Sequence, residues 1–285
     1  MNNSFTISVP ATSANFCIGF DCLGVAFDIY NEFSFERSSQ DKVLDFEEEF
    51  NNSNNLVLTS YQRFFKEFNI DYIPITIKLI KENVPPSRGL GSSATCIVAG
   101  VLAANKITKS KKLEKELLSL MSKIEGHPDN VAPAYLGGFV SSISDNGLIN
   151  SIKYNVSDKL KFNVYISDFK LSTELARSVL PQTYSRSDLV YNLSRMAQLP
   201  YALVNGNFEL LKLILKDKIH EPYRISIIKG AKELIDKINS SDSIGIISGS
   251  GSTILSISEN DINIEDNIYR QYRVKITSKG AIIND

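Results

Sequence analysis

A glycine-bearing turn set between a strand pattern and a helix pattern constrains this chain more than any other stretch. Val84 to Cys96 reads VPPSRGLGSSATC. It follows an alternating apolar run from Ile73 to Ile80 and leads into an Ala/Val-rich segment from Ser92 to Asn105, which predicts strand, tight loop and helix in succession. Glycines at such a junction let backbone N–H groups approach an anion closely, and a helix N-terminus adds partial positive charge. Ser92 and Ser93 stand where a hydroxyl can cap the helix, meet a phosphate or ligate a cation. The stretch therefore predicts a nucleotide triphosphate site, although a Gly-Ser turn that only caps a buried helix has the same composition. Two common phosphate loops are excluded. Gly91 is followed by Ser92 where a Walker loop needs Lys, and only Gly89 and Gly91 fit the dinucleotide fingerprint.

Composition narrows the class. The 285 residues suffice for one large or two modest domains. Hydrophobic residues make up 43%, charged residues 22%, and the net charge is −1, so no global field draws the chain to nucleic acid or to an anionic membrane. The start, MNNSFTISVPATSANF, has no basic region before an apolar run, and the longest apolar run, Cys96 to Ala104, is too short to span a bilayer. A cytoplasmic location is the expectation. Cys17, Cys22 and Cys96 form no C-x-x-C pair and have no ligands nearby, which argues against a redox or metal role. Cys96, among small apolar residues, is expected to be buried and inert.

The Asn-rich stretch Asn51 to Asn55 predicts a loop before an amphipathic helix from Leu56 to Phe68. Leu113, Leu117, Leu120, Met121 and Ile124 share one face of another helix, ended by Gly126. The polar stretch Asp145 to Lys159, with Asn146-Gly147, predicts a hairpin turn and a passage to a second domain. A strand follows over Phe162 to Asp168, then helical patterns over Ser187 to Lys216, interrupted near Pro200 and Gly206, and over Tyr223 to Ile238. Ile244 to Ser248 and Thr253 to Ser258 read as strands joined by a tight GSGS turn. Such irregular alternation favours α+β in two domains over a doubly wound parallel sheet.

Four further segments carry polar residues in suggestive company: VPATSANFCIGFDCLGVAFDIYN from Val9, EGHPDNVAPAYLGGF from Glu125, LSTELARSVLP from Leu171 with EPYR from Glu221, and GIISGSGSTILSI from Gly245. With the loop, and in this order over most of the chain, they resemble the GHMP kinase superfamily and, within it, the homoserine kinase family. P-A-T-S-A-N combined with E-G-H-P-D-N is far more specific than the loop alone.

The resemblance implies a two-domain α+β fold with the active site in the cleft between halves. The half over 1–155 would share the fold of a ribosomal protein domain, with a left-handed β-α-β crossover against the usual rule; the half over 156–285 would be ferredoxin-like. Homodimers occur among such proteins. The implied reaction moves the γ-phosphoryl of ATP to the side-chain hydroxyl of L-homoserine, a step toward threonine that needs positioning and charge neutralisation more than covalent help. Pro85, Pro86, Ser87, Arg88, Gly89, Leu90, Gly91, Ser92, Ser93, Ala94 and Thr95 would wrap the triphosphate. Ser93 and Glu125 would hold Mg²⁺, and adenine would rest on apolar residues around Leu56 to Tyr61. Asn15, Asp21, His127, Asn130, Thr173, Arg177 and Arg224 would bind the amino acid, the two arginines taking its carboxylate and Asp21 its ammonium. Asn130 would hold the hydroxyl in line with the γ-phosphorus. Arg224 and Asp129 complete the catalytic set, with Asp129 an orienting charge rather than a general base.

Two segments depart from the family pattern. Cys17-Ile18 replaces a Gly-Pro pair ahead of Gly19-Phe20-Asp21, where the added bulk can narrow the pocket, and Ser252 replaces a Pro after Gly251. The turn Ser248 to Ser252 is expected to be structural, packing close to the phosphate loop. The rival readings are a mevalonate-pathway kinase or decarboxylase and a catalytically silent GHMP-fold regulator. Arg177, Arg224 and Asp21 suit an amino acid, and Ser93, Glu125 and Asn130 favour an enzyme.

Overall fold

The computed structural model describes residues 4–285. The first part of the chain contributes β1 (Ser4–Ala14), β2 (Leu23–Arg37), β3 (Lys42–Leu44), α1 (Leu56–Phe68), β4 (Ile75–Lys81), α2 (Ser92–Ile107), α3 (Glu114–Glu125), α4 (Pro128–Leu136), β5 (Phe139–Asp145) and β6 (Leu148–Tyr154). The second contributes β7 (Lys161–Ser167), α5 (Thr173–Ser178), α6 (Arg186–Met196), α7 (Leu199–Asn205), α8 (Phe208–Ile214), α9 (Glu221–Arg224), α10 (Ala231–Asn239), β8 (Ile244–Ile247), β9 (Ile254–Ser258), β10 (Tyr269–Val274) and β11 (Ile282–Asn284).

A seven-stranded sheet runs in the order β11-β1-β2-β4-β3, and β2 is long enough to serve two partners. Its residues 23–25 pair with β5, which pairs in turn with β6, while residues 32–37 pair with β4. Only β3 and β4 run parallel, joined through α1 as a β-α-β unit. The second sheet, β10-β7-β9-β8, is antiparallel throughout. This is the α+β architecture the alternation pattern predicts.

Three packed clusters hold the molecule. Ile7, Phe33, Phe35 and Ile77 of the first sheet bury against Val57, Tyr61 and Phe64 of α1 and Val98 and Val101 of α2. A second cluster joins the two sheets, setting Phe16, Val25 and Phe27 with Phe162, Val164, Leu203 and Leu255. In the third, Leu234 and Ile238 of α10 cover Tyr165, Ile247 and Ile254. The shared middle cluster fixes the sheets against each other, since separating them would expose apolar surface at about 25 cal/mol per Å².

The predicted helix 56–68 is observed with those bounds, because Asn55 accepts hydrogen bonds from the N–H groups of Val57 and Leu58 and so caps its start. Asn146 and Gly147 both take positive φ (50° and 78°), as a tight hairpin requires. The pattern Tyr223 to Ile238 does not form one helix. The chain leaves α9 through a short 3₁₀ turn, becomes extended at Ile228, and starts again at Gly230, whose left-handed backbone caps α10.

Candidate active site

The loop before α2, the N-terminal ends of α2 and α4, α5 and the turn 248–252 enclose a cavity of about 420 Å³. One end is apolar, lined by Phe33, Phe46, Phe50, Leu56, Leu79 and Cys96. The other is charged, lined by Asn15, Asp21, His127, Asp129, Asn130, Thr173, Arg177 and Arg224. The stretch Pro86 to Ser93 lies along the same wall and connects them.

That stretch offers backbone rather than side chains. Gly91 caps α2 in the left-handed conformation (φ 69°), with no side-chain cap and no acidic residue in the first turn, so the helix N-terminus keeps its N–H groups for an anion. Neither Ser92 nor Ser93 is the cap; Ser93 Oγ donates to Glu125 Oε1 at 2.7 Å. Burial raises the pKa of Glu125 above the usual carboxylate value, an effect that the Ser93 hydrogen bond opposes. Arg88 is committed elsewhere. Its Nε donates to Ser167 O (2.9 Å), and its two terminal nitrogens donate to Pro86 O (3.2 Å) and Asp168 O (3.0 Å), tying the loop to the end of β7. A Cβ at Gly89 would lie 2.3 Å from Ser248 O, and Ser248 Oγ donates to Gly89 O at 2.6 Å, so the turn 248–252 packs on the phosphate loop as expected. That turn also lines the cavity through Gly249 and Ser250.

The charged end draws its groups from both halves of the chain. Asp21 and Arg177 form a two-pronged ion pair (2.7 and 3.1 Å) across the cleft. His127 Nδ1 contacts Asp129 Oδ1. Burial alone would lower the His127 pKa, but the hydrogen bond and charge of Asp129 raise it above the ordinary imidazole value. Asp129 is 1% exposed, and its Oδ2 has no partner. Side-chain oxygens of Asp21 and Asp129 and a ring nitrogen of His127 all lie within 4.8 Å of one another. Asn130 Oδ1 accepts from Thr12 Oγ1 at 2.8 Å, while Gly91 packs so tightly that a Cβ there would sit 1.9 Å from that Thr12 oxygen. Arg224 is 1% exposed and donates only to neutral acceptors. Asn15 is held by Gly249 O and by the N–H of Asp21, each at 3.0 Å. Thr173 Oγ1 lies 3.5 Å from Ser250 Oγ.

The chain is similar to known proteins over most of its length. Residues 55–138 match the model of the GHMP kinases N terminal domain. Over 257 residues the chain is 44% identical to the homoserine kinase of Clostridium acetobutylicum, spanning 89% of this chain and 87% of that one. It belongs to the homoserine kinase family. It is also 39% identical over 293 residues to the homoserine kinase of Clostridium botulinum, covering 98% of each chain. The crystal structure of homoserine kinase from Cytophaga hutchinsonii superposes with a TM-score of 0.87 at 28% identity, covering 99% of this chain and 98% of that one.

Set against that family's pattern, most of the expected residues converge on one cavity, and three do not line it. Pro85 precedes the wall, Ala94 is in the core, and Thr95 is buried with its hydroxyl on Ser92 O. Of Leu56 to Tyr61, the stretch expected to carry adenine, Leu56 alone lines the cavity, because Val57, Leu58 and Tyr61 face the core. Cys96 is half-buried and lines the apolar end, with burial pushing its thiol pKa up to about 12. Cys17 and Ile18 do not narrow the pocket; both are buried in the cluster between the sheets. Sequence reading also passed over Thr12, Asn31 and the phenylalanines of the apolar end. Asn31 Oδ1 accepts the N–H groups of Asn83 and Val84, both at 2.9 Å, and so sets the entry of the loop.

Proposed function

We propose that the cavity transfers the γ-phosphoryl group of ATP to the side-chain hydroxyl of L-homoserine, giving ADP and O-phospho-L-homoserine on the route to threonine. The observation that carries the reading is a buried guanidinium without an ion-pair partner among the described residues, Arg224, in one cavity with the carboxylates of Asp21 and Asp129 and with the start of an uncapped helix. An amino acid with a free carboxylate and ammonium complements the first two features, and a triphosphate complements the third.

Adenine fits the apolar end, with its phosphates along Pro86 to Ser93 and the first turn of α2. Ser93 and Glu125 are the residues that would hold Mg²⁺, since a hydroxyl and a carboxylate in contact at the cavity wall suit a hard cation. Bound there, the ion would supply charge neutralisation for the triphosphate. Arg224 takes the homoserine carboxylate, and the ammonium enters the pocket of Asp21, His127 and Asp129, so that the internal pair of Asp21 and Arg177 is exchanged for contacts with the substrate. Asn130, steadied by Thr12, orients the hydroxyl toward the γ-phosphorus. The new P–O bond forms as the β,γ-bridging bond breaks, ADP leaves, and the proton of the hydroxyl passes to the transferred phosphate. Asp129 orients His127 and supplies charge without taking that proton, which a loose transition state makes unnecessary.

In this reading residues 1–155 carry the phosphate loop and residues 156–285 complete the amino-acid end, with β11 returning to the first sheet. A cytoplasmic location and a homodimeric state belong to the same proposal; among the described residues no helix is long and apolar enough to cross a membrane. The test is ADP release from ATP and Mg²⁺ with L-homoserine, D-homoserine, L-threonine, L-serine and mevalonate as alternative acceptors. Turnover with L-homoserine alone is expected. Preference for mevalonate would overturn the amino-acid reading, and nucleotide binding without turnover on any acceptor would indicate a silent regulator.

A further inference from the structure

The two arginines of the amino-acid end are held in opposite ways. Arg177 is neutralised by Asp21, whereas the hydrogen bonds of Arg224 go to Ala176 O (from Nε, 3.1 Å), Gly249 O (from NH1, 3.0 Å) and His220 Nδ1 (from NH1, 3.2 Å). A guanidinium has five N–H donors and no acceptor, so these bonds use Nε–H and both protons of NH1 and leave NH2 to offer. NH2 is not among the enclosed atoms without a partner, and Arg224 lines the cavity.

The same argument fixes the imidazole. Because Arg224 can only donate, His220 Nδ1 must accept, and the ring proton must sit on Nε2, where it is given to Cys17 O. His220 is fully buried, and burial together with the Arg224 charge outweighs nearby Asp217 and holds the ring neutral. Asp217 is occupied by its own donors, Asn192 Nδ2 and the backbone N–H groups of His220 and Glu221. The ring of Phe20 lies 5.4 Å from His220 and 5.3 Å from the Arg224 guanidinium carbon, closing the remaining side.

We propose that His220 is a positioning residue for the homoserine carboxylate: by accepting from Arg224 on an uncharged nitrogen, it fixes the guanidinium plane without neutralising the charge the substrate needs. An acidic residue in its place would steady Arg224 equally well and cancel its charge, as Asp21 does for Arg177. The proposal rests on reading this end of the cavity as the homoserine site.

The test uses two substitutions of similar size that divide the two bonds of the ring. His220→Asn keeps an acceptor near the position of Nδ1 and gives up the bond to Cys17 O; His220→Gln reaches toward Cys17 O and gives up the acceptor beside Arg224. Steady-state kinetics with the full chain should show KM for L-homoserine raised about tenfold or more in His220→Gln, the scale of one charge-assisted hydrogen bond, and within about threefold of wild type in His220→Asn. KM for ATP should stay unchanged in both. The reverse order of the variants, equal effects of the two, or a parallel rise in KM for ATP would overturn the proposal while leaving the homoserine reading intact. Loss of folding in both would assign His220 to the core and overturn it as well. Absence of homoserine turnover by the wild-type chain would overturn the homoserine reading, and the proposal with it.

Discussion

The two ends of the cavity are built from different materials. At the end proposed for phosphate the groups on offer are backbone N–H groups, made available by Gly89 and Gly91 in left-handed conformations and by a helix start without a side-chain cap. At the end proposed for homoserine they are charged side chains, Asp21, Asp129, Arg177 and Arg224, brought together from positions far apart in the chain. A backbone site is sensitive to any Cβ that moves the main chain and indifferent to much side-chain chemistry. A side-chain site behaves the other way, so the ends should fail separately under mutation.

Arg224→Ala should give the largest effect, a rise in KM for homoserine on the order of a hundredfold or more, since it removes the buried cation proposed to pair with the substrate carboxylate. KM for ATP should hold nearly constant in the same coupled assay, and a parallel rise would break the distinction between the ends. Gly91→Ala should lower kcat by about tenfold to a hundredfold, on the reasoning that a 1 Å misplacement of reacting groups costs about that much. Its Cβ would displace Thr12 and press on Asn130, linking the backbone end to the hydroxyl orienter. Left-handed strain of roughly 1–2 kcal/mol should also lower its unfolding midpoint. Asp129→Asn should reduce kcat by about tenfold, short of the roughly 10²–10⁴ that losing a general base costs. Abolished turnover with unchanged homoserine binding would restore the base mechanism.

The smallest effect concerns the support behind the homoserine end. Glu221 is half-buried, its carboxylate accepting from Ile247 N and Cys17 Sγ, and the burial of that group, reinforced by Asp217, pushes its pKa from 4.5 up to about 8. The folded state therefore prefers the protonated form. The stabilisation from that preference is complete below about pH 4.5 and is lost as pH rises through about 8. Glu221→Gln keeps the acceptor for Ile247 N and removes the titration. Thermal unfolding at pH 8 should show it stabilised by about 2–4 °C, roughly 1 kcal/mol, with the gain vanishing near pH 5. An equal gain at both pH values would mean that the ionisation is not its source.

The backbone end was legible in sequence because its signals are local. The alternation of Ile73 to Ile80, the glycines and the Ala-rich helix are contiguous, and β4, the loop and α2 follow them. The homoserine end was legible only as separate motifs in a family's order. Nothing in the pattern says that Thr12 supports Asn130, 118 positions away, or that His220 underlies Arg224. Nothing in the sequence marks Phe33, Phe46 and Leu79 as cavity residues, because apolar side chains that line a cavity and those that face a core share the same periodicity. The break at Gly230 was missed because the apolar spacing of Tyr223 to Ile238 continues across it, although the backbone does not.

The return of β11 imposes an order of events on synthesis. Asn284 pairs with Thr6 and Ile282 with Ser8, and just before them the N–H of Asp28 is taken by Lys275 O and that of Gly138 by Thr277 O. These partners leave the ribosome only after every strand of the second sheet. Until residues 282–284 emerge, a nascent chain that already carries β1 through β6 presents an unpaired strand edge to its surroundings. On a crowded polysome that edge is open to strand-against-strand pairing with neighbouring copies.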